Sequence, residues 1–278
     1  MSYLSIQPRT DGFGTQIQHY MWAAYYAESH NAKFLMPKIT HIEHNYNKAA
    51  NWTSSLVEFM RLNEVFKSQE SVPTSSIKLI PIMAYCKFTE EDIDKFLESD
   101  TMRKIKTSFL DANDYLLDQY CIRKPEMKDS IIIAAHIRRN NQDDCRVIEP
   151  QTTAFEIFKT EIDKLLLEIP NEKNVRIHII SQASFSEIRE SFFSYLRSGE
   201  DGRKVSVAVH TNEDVIGPFL AMVNADYLIT SPSSFSYAAA LLCNGTVIYF
   251  PFWHNPSKNW RVMSSWTKPK ISLPGYDC

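Results

Sequence analysis

The second half of the sequence alternates short apolar runs with longer amphipathic ones, and this alternation restricts the fold most. The runs SIIIAAHI, NVRIHIIS, KVSVAVH, DYLITS and TVIYFP have the length and branched residues of buried strands. Amphipathic segments such as TTAFEIFKTEIDKLLLEIP and SSFSYAAALLCNG stand between them. Such regular alternation predicts a parallel sheet covered by helices, as in doubly wound α/β folds.

The first half opens in a similar way. The strand candidate YLSIQ is followed by a glycine-containing loop, a helix over Gln16–Lys33 and the apolar run KFLMP. The chain then becomes less regular, with one helix candidate near 54–66 and a mostly helical stretch over 89–120 that Thr89 caps. We therefore expect two α/β halves, each beginning with a strand, a loop and a helix.

A polar, proline-containing segment, CIRKPEMKDS, separates the two halves. It predicts a domain boundary, with one domain over residues 1–125 and the other over residues 126–278.

Composition and charge exclude several functional classes. The 278 residues carry 30 Lys and Arg against 33 Asp and Glu, a net charge of −3, so no basic field for nucleic acid is expected. No apolar run approaches the roughly 20 residues of a membrane helix, and the start lacks the pattern of a signal peptide. The 5 cysteines are scattered without a C-x-x-C pair, which indicates neither disulfides nor zinc. We expect a cytoplasmic protein without a membrane span, typical of a bacterial or viral source.

The loop GFGTQ contains Gly12, Gly14, Thr15 and Gln16 and precedes the first helix. It departs from the dinucleotide fingerprint because Ile17 stands where the third glycine belongs and no acidic residue follows the next strand. This argues against an NAD-dependent oxidoreductase, and no cofactor is expected. A loop at a helix N-terminus suits an anionic or hydroxyl-rich ligand, while an ordinary tight turn stays open as the alternative.

The sequence His136-Ile137-Arg138-Arg139 follows the wholly apolar strand SIIIAAHI. Because side chains alternate along a strand, His136 and Arg138 share one face and Arg139 lies on the other. Ligands of open α/β sheets collect at the carboxyl ends of strands, and a guanidinium there matches a phosphate. The alternatives are a salt-bridged arginine pair and a structural histidine.

A second polar segment, SPSSFSYAAALL, follows the strand DYLIT. Its hydroxyls at Ser233, Ser234 and Ser236 precede a helix of small residues, with Phe235 among them. They are either helix caps or a second phosphate cradle. Beyond the arginines, Asp143 and Asp144 are candidates for a general base or for loop acids that pair with arginine.

Three segments of the sequence, taken in order, resemble the fucosyltransferase superfamily. GFGTQIQHYMWAAYYAESHNAKFLM resembles the G-x-G-N-Q start of the α-1,2-fucosyltransferases, and AAHIRRNN resembles the H-x-R-R motif of the wider superfamily. EDVIGPFLAMVNADYLITSPSSFSYAAALL is similar to that family's segment of acidic residue, helix, strand and S-S-F-S. In this chain, Thr15 replaces the usual asparagine, and Asn140-Asn141 follow the arginines.

The resemblance implies a GT-B fold, in which two Rossmann-like domains face a cleft and the C-terminal one binds the nucleotide. It implies an inverting, metal-independent transfer of a sugar, usually from GDP-fucose, to a glycan hydroxyl. Arg138 would then hold the donor phosphates, and Asp214 with the Ser233–Ser236 segment would line the nucleotide. Gly12–Gln16 would face the cleft from the N-terminal domain.

Other functions stay open at this stage. The departures from the family motifs, at Thr15 and at Asn140-Asn141, lie in sites that recognise the sugar. A UDP-sugar such as UDP-xylose is therefore the alternative donor. A non-catalytic protein that binds glycan or nucleotide on the same scaffold would show binding without turnover. The partners expected in either case are a nucleotide sugar and an oligosaccharide.

Overall fold

The computed structural model describes residues 2–45, 48–81, 88–123, 129–139, 154–198, 203–211, 214–252 and 254–263. The chain divides into two compact units, residues 1–115 and residues 116–277. Each contains a sheet of mainly parallel strands together with helices, so the predicted α/β class is confirmed. No helix within the described ranges combines the length and the apolar character needed to cross a membrane.

The first unit contains a sheet of four parallel strands in the order β3-β2-β1-β4. Its elements are β1 (Tyr3–Ser5), α1 (Phe13–Ser29), β2 (Lys33–Met36), α2 (Trp52–Met60), α3 (Leu62–Val65), β3 (Lys67–Ser68), β4 (Ile77–Leu79), α4 (Glu90–Glu98) and α5 (Asp100–Gln119). The last of these helices, α5, continues past residue 115 into the second unit. The first strand in the chain is therefore central, as in a Rossmann-like half.

Three helix boundaries in this unit differ from the sequence prediction, and each has a local cause. α1 begins at Phe13, before the predicted Gln16, because the extended Gly12 ends the loop and its carbonyl accepts from the Gln16 N–H at 3.1 Å. The helix expected near 54–66 is broken by Arg61, whose φ of 54° leaves the helical region. The helical stretch expected over 89–120 is divided at Ser99, whose backbone is extended, while the predicted cap at Thr89 is confirmed.

The second unit contains a sheet of seven strands in the order β11-β10-β9-β5-β6-β8-β7, in which β7 is antiparallel to β8 and the other pairs are parallel. The elements are β5 (Ile131–Ile137), α6 (Phe155–Glu168), β6 (Val175–Ser181), α7 (Phe185–Phe192), β7 (Arg197–Ser198), β8 (Lys204–His210), α8 (Ile216–Val223), β9 (Tyr227–Ile229), α9 (Ser234–Leu242), β10 (Thr246–Tyr249) and β11 (Arg261–Val262). The predicted strands and helices of this half are all present.

The strand order of the second unit fixes where a ligand can bind. Counted along the chain without β7, the strands lie in the order 3-2-1-4-5-6, which is that of dinucleotide-binding folds. The chain runs outward from β5 through β6 to β8, then returns to β9 on the other side of β5. The topological switch point therefore lies between the carboxyl ends of β5 and β9, where open α/β sheets form a crevice.

The core of the second unit explains why these strands are apolar throughout. Residues of β5 and β6 such as Ile133, Ile177 and Ile179 are fully buried, and helices such as α6 and α7 contribute Phe158 and Phe192. Because helices cover the sheet, both faces of the central strands are withdrawn from water.

Candidate functional site

The switch point of the second unit brings His136 and Ser231 into contact. His136 is the penultimate residue of β5, and Ser231 lies two residues beyond the end of β9. The imidazole Nδ1 of His136 lies 2.9 Å from the Ser231 hydroxyl, and both residues are buried. This contact joins the two segments that the sequence singled out, 95 residues apart.

His136 is a neutral group in this site. Burial, and then the positive charge of Arg138, lower its pKa to about 3. The ring of Phe235 meets the imidazole edge-on, with ring centroids 5.5 Å apart. At neutral pH His136 therefore serves as an uncharged hydrogen-bonding group that holds the β9–α9 connection against β5.

Arg138 and Arg139 have different surroundings. The guanidinium carbon of Arg139 lies 4.2 Å from the ring centroid of Phe155, the first residue of α6, in a cation–π contact. Arg138 is close enough to His136 for its charge to act on the imidazole. Both arginines are partly buried, and their different surroundings agree with the alternation expected along the strand.

The serines of the S-S-F-S segment have separate roles at the start of α9. Ser233 is the N-cap, and its hydroxyl accepts from the Phe235 N–H at 3.3 Å. Ser236 lies within the helix, where its hydroxyl accepts from the Ser231 N–H at 3.2 Å. The expectation that all three hydroxyls precede the helix was wrong, because α9 already begins at Ser234.

Ser234 differs from the other serines in this segment. Its side chain is buried at the first position of α9, yet no hydrogen bond within the described ranges engages its hydroxyl. The hydroxyl therefore retains its capacity to donate and accept next to the first N–H groups of α9. Together with Arg138 on the neighbouring strand, this helix N-terminus is suited to bind an anion.

Asp214 lies at the N-terminus of α8, where its carboxylate is engaged on both sides. One oxygen accepts from the N–H groups of Ile216 at 2.9 Å and Gly217 at 3.2 Å. The other accepts from the phenol of Tyr120 at 2.8 Å. The sequence did not indicate Tyr120, because the two residues are 94 positions apart and no local pattern links them.

In the first unit, the side chain of Gln16 holds the glycine loop in place. Its amide nitrogen donates to the carbonyls of Asp11 at 2.7 Å and His41 at 2.9 Å, and its amide oxygen accepts from the phenol of Tyr20 at 3.1 Å. Gln16 is buried, and its amide thus has a structural role that joins the loop to the segment around His41.

The remaining residues of the GFGTQ loop lie close to the same segment. Gly12 pairs with Glu43 in an isolated parallel bridge, and a Cβ at Gly12 would come within 2.5 Å of the His44 ring. Gly14 and Thr15 form the first turn of α1, with Gly14 buried and Thr15 partly exposed. A side chain at position 12 would therefore displace the exposed ring of His44.

Two predicted residues, Asp143 and Asp144, lie outside the described residues. Within the described ranges, no three His, Cys, Asp or Glu side chains gather as the ligands of a metal ion would.

No protein-family model and no curated protein matches the sequence. Among solved structures, the chain is similar to the fucosyltransferase NodZ from Bradyrhizobium, with a TM-score of 0.47 and 14% identity over 90% of this chain and 96% of that chain. It is also similar to a mutant of Arabidopsis thaliana FUT1 in complex with GDP, with a TM-score of 0.49 and 11% identity over 93% and 72% of the two chains.

POFUT1 in complex with GDP-fucose is a third similar structure, with a TM-score of 0.44 and 12% identity over 88% of this chain and 94% of that chain. At these scores and identities the likeness carries no argument about activity.

Proposed function

We propose that this protein is a glycosyltransferase that binds the diphosphate of a nucleotide sugar at the carboxyl ends of β5 and β9. One observation carries the proposal. The topological switch point joins an arginine-bearing strand end to the N-terminus of α9, and the 2.9 Å contact between His136 and Ser231 holds the two together. This is the position at which folds of this strand order bind nucleotides.

In this proposal Arg138 and the start of α9 share the negative charge of the phosphates. Arg138 offers a planar guanidinium, and α9 contributes N–H groups with the positive end of the helix dipole. The Ser234 hydroxyl adds a further donor beside them. Arg139, whose guanidinium packs on Phe155, would add only a longer-range positive charge.

The donor we propose is GDP-fucose, because the sequence motifs resemble those of fucosyltransferases. Residues 126–278 would bind this donor, and residues 1–125 would hold a glycan acceptor, in a GT-B arrangement. The Asp214 carboxylate would contact the nucleotide while it keeps its hydrogen bonds to the α8 N-terminus and to Tyr120.

The proposed reaction is an inverting displacement at the anomeric carbon of the sugar. The acceptor oxygen forms the new bond as the bond to the diphosphate breaks, and the nucleoside diphosphate leaves with the electron pair. Charge grows on the leaving phosphate, where Arg138 and the α9 N–H groups would stabilise it without a metal ion. The acceptor hydroxyl must lose its proton to a base, for which we propose Asp143 or Asp144.

A panel of ligands tests the proposal directly. Thermal unfolding is measured with GDP, UDP, ADP, CMP and NAD for the wild type, Arg138→Ala and Arg139→Ala. A ligand at about 100 times its Kd stabilises a protein by about 2.7 kcal/mol, so a response to GDP is readily seen. We expect Arg138→Ala to remove this response and to lower transfer from GDP-fucose by about 10²–10³.

Arg139→Ala is the matched control, because it removes a guanidinium that is adjacent in sequence but packs on the ring of Phe155. It should weaken GDP binding much less than Arg138→Ala. A response to UDP alone would retain the phosphate site and move the donor to a UDP-sugar, with UDP-xylose tested next. Binding of GDP without turnover on any glycan would favour a non-catalytic protein, and no response to a nucleotide would reject the proposal.

A further inference from the structure

The first unit contains an open groove that the nucleotide site does not use. It has a volume of about 770 Å³ and is lined by residues from the segment 39–45 and from α2 and α3. Small-molecule sites commonly measure roughly 300–1,000 Å³, so the groove can hold part of an oligosaccharide. We refer to it as the α2 groove.

One wall of the α2 groove is fixed by hydrogen bonds to the backbone of Ile42. The indole N–H of Trp52 donates to the Ile42 carbonyl at 2.9 Å, and the Thr53 hydroxyl accepts from the Ile42 N–H at 3.2 Å. The neighbouring carbonyl, that of His41, accepts from the Gln16 amide. The GFGTQ loop therefore holds this wall, and the groove exists before a ligand binds.

The chemistry of the lining favours a neutral ligand rich in hydroxyl groups. Trp52 is partly exposed, so its indole offers an apolar surface whose orientation is already fixed. Glu58 and Glu64 supply carboxylate acceptors, and Arg61 supplies guanidinium donors. With two carboxylates facing one guanidinium, a phosphate or carboxylate ligand would meet an excess of like charge.

Glu58 and Arg61 retain hydrogen-bonding capacity on this surface. No hydrogen bond or ion pair of the described residues engages the Glu58 carboxylate. One terminal nitrogen of the Arg61 guanidinium bonds Glu64 at 2.9 Å, whereas the other terminal nitrogen has no hydrogen-bond partner in the described structure, and Nε is buried. A sugar hydroxyl can donate to the first group and accept from the second.

The backbone of Arg61, which ends α2, has a conformation that is unusual for a residue other than glycine. Its φ of 54° and ψ of 14° lie in the left-handed region, where glycine is favoured and other residues are strained. Replacing Arg61 with glycine should therefore relieve this strain, so that an effect on ligand binding can be separated from an effect on stability.

We infer that the α2 groove binds a neutral oligosaccharide, with the face of one sugar ring on Trp52 and hydroxyls bonded to Glu58 and Arg61. A pyranose ring presents a face of C–H bonds that packs on an aromatic ring, while its hydroxyls point to the rim. The inference rests on the proposed function, for which it names the acceptor class.

Ligand-observed NMR titrations test the inference, with cellotetraose, chitotetraose and N-acetyllactosamine as neutral probes and sialyllactose as the charged comparison. Each is measured with and without GDP. Trp52→Leu and Trp52→Phe both lose the indole hydrogen bond to Ile42, but only the second retains an aromatic face. We expect Trp52→Leu to weaken binding of at least one neutral probe by about tenfold, and Trp52→Phe by much less.

Arg61→Gly separates binding from folding. Glycine relieves the left-handed backbone, so the unfolding midpoint should stay constant or rise while saccharide affinity falls by about tenfold. Asn31→Gly is the matched control, because Asn31 has a φ of 51° in the same unit but is not part of the groove lining. This control should leave saccharide binding unchanged.

The outcomes also distinguish this inference from the proposed function. Preference for sialyllactose, binding that survives Trp52→Leu and Arg61→Gly, or no binding of any neutral probe would overturn the inference. The thermal response to GDP depends on the second unit and should persist in every groove variant. Saccharide binding with no response to GDP would support the groove and reject the proposed function.

Discussion

Individual residues at the strand ends of the second unit divide into those that build the site and those that are available to a ligand. His136, Ser231 and Ser236 bond to one another or to the nearby backbone and are buried. Ser234 has no such bond among the described residues. The sequence indicated Ser233, Ser234 and Ser236 equally and did not single out Ser231, because only the position of the helix start separates a cap from a hydroxyl within the first turn.

Ser234→Ala and Ser236→Ala should therefore differ in effect. Removing the Ser234 hydroxyl leaves no protein group unsatisfied, so stability should be nearly unchanged while GDP affinity falls several-fold. Removing the Ser236 hydroxyl deprives the Ser231 N–H of its acceptor, which should lower the free energy of unfolding by about 1–3 kcal/mol. Urea unfolding and GDP titration of both variants check this, and equal GDP affinity in Ser234→Ala and wild type would contradict the role of Ser234.

At the scale of elements, the two halves of the chain were predictable to different degrees. The main strands of the second unit were predicted correctly because β5 and β6, each of 7 residues, are buried parallel strands with a continuous apolar sequence. The strands of the first unit have only 2 to 4 residues, too short for a clear period. The two-residue strands β7 and β11 at the edges of the larger sheet were missed for the same reason.

The contacts within the site were less predictable than the elements. The motifs indicated that His136 and the serines belong to one site, because both follow strands of the same sheet. Their adjacency depends on β9 returning beside β5, which is a property of the sheet order. The α2 groove was not predicted, because its walls come from an irregular segment whose polar residues have no period.

The N-terminus of α8 provides a prediction at this scale. Asp214→Asn retains an oxygen that accepts from the α8 N–H groups, whereas Asp214→Ala removes the cap and should lower the free energy of unfolding by about 1 kcal/mol. If the carboxylate also binds the nucleotide, Asp214→Asn should weaken GDP binding without a comparable loss of stability. Unfolding and GDP titration are measured on both variants.

Tyr120→Phe serves as the control for Asp214. It removes the phenol that donates to the second carboxylate oxygen but leaves the charge and the helix cap in place. Unchanged GDP affinity in Asp214→Asn would assign this residue to the helix cap alone.

On the scale of the whole molecule, both units begin with a central strand and add their next strands on one side before returning to the other. Each also buries histidine close to a guanidinium. In the first unit, burial and then the charge of Arg9 lower the pKa of His19 to about 4. In the second unit, burial lowers the pKa of His136 to about 3 and lowers that of His178 as well, with further contributions from His210 and Arg176.

These depressed pKa values determine the sign of the pH dependence. An unfolded histidine has a pKa of about 6.5 and binds a proton below that pH, whereas the buried residues stay neutral. Their contribution to stability is therefore complete above about pH 6.5 and is lost as the pH falls through the window down to the native pKa values, about 4 for His19 and about 3 for His136. Within its window, each of His19 and His136 contributes a slope that approaches about 1.4 kcal/mol per pH unit.

Two of the three histidines lie in the second unit, so acid should destabilise residues 116–277 more steeply than residues 1–115. Hydrogen exchange at about pH 7.5 and about pH 5, corrected for intrinsic rates, reports the opening free energy of each unit separately. In His178→Gln the amide can still accept from Arg176 and donate to His210, but it does not titrate. The second unit of this variant should lose less stability at the lower pH, and an acid sensitivity equal to that of the wild type would exclude His178 as a source of the effect.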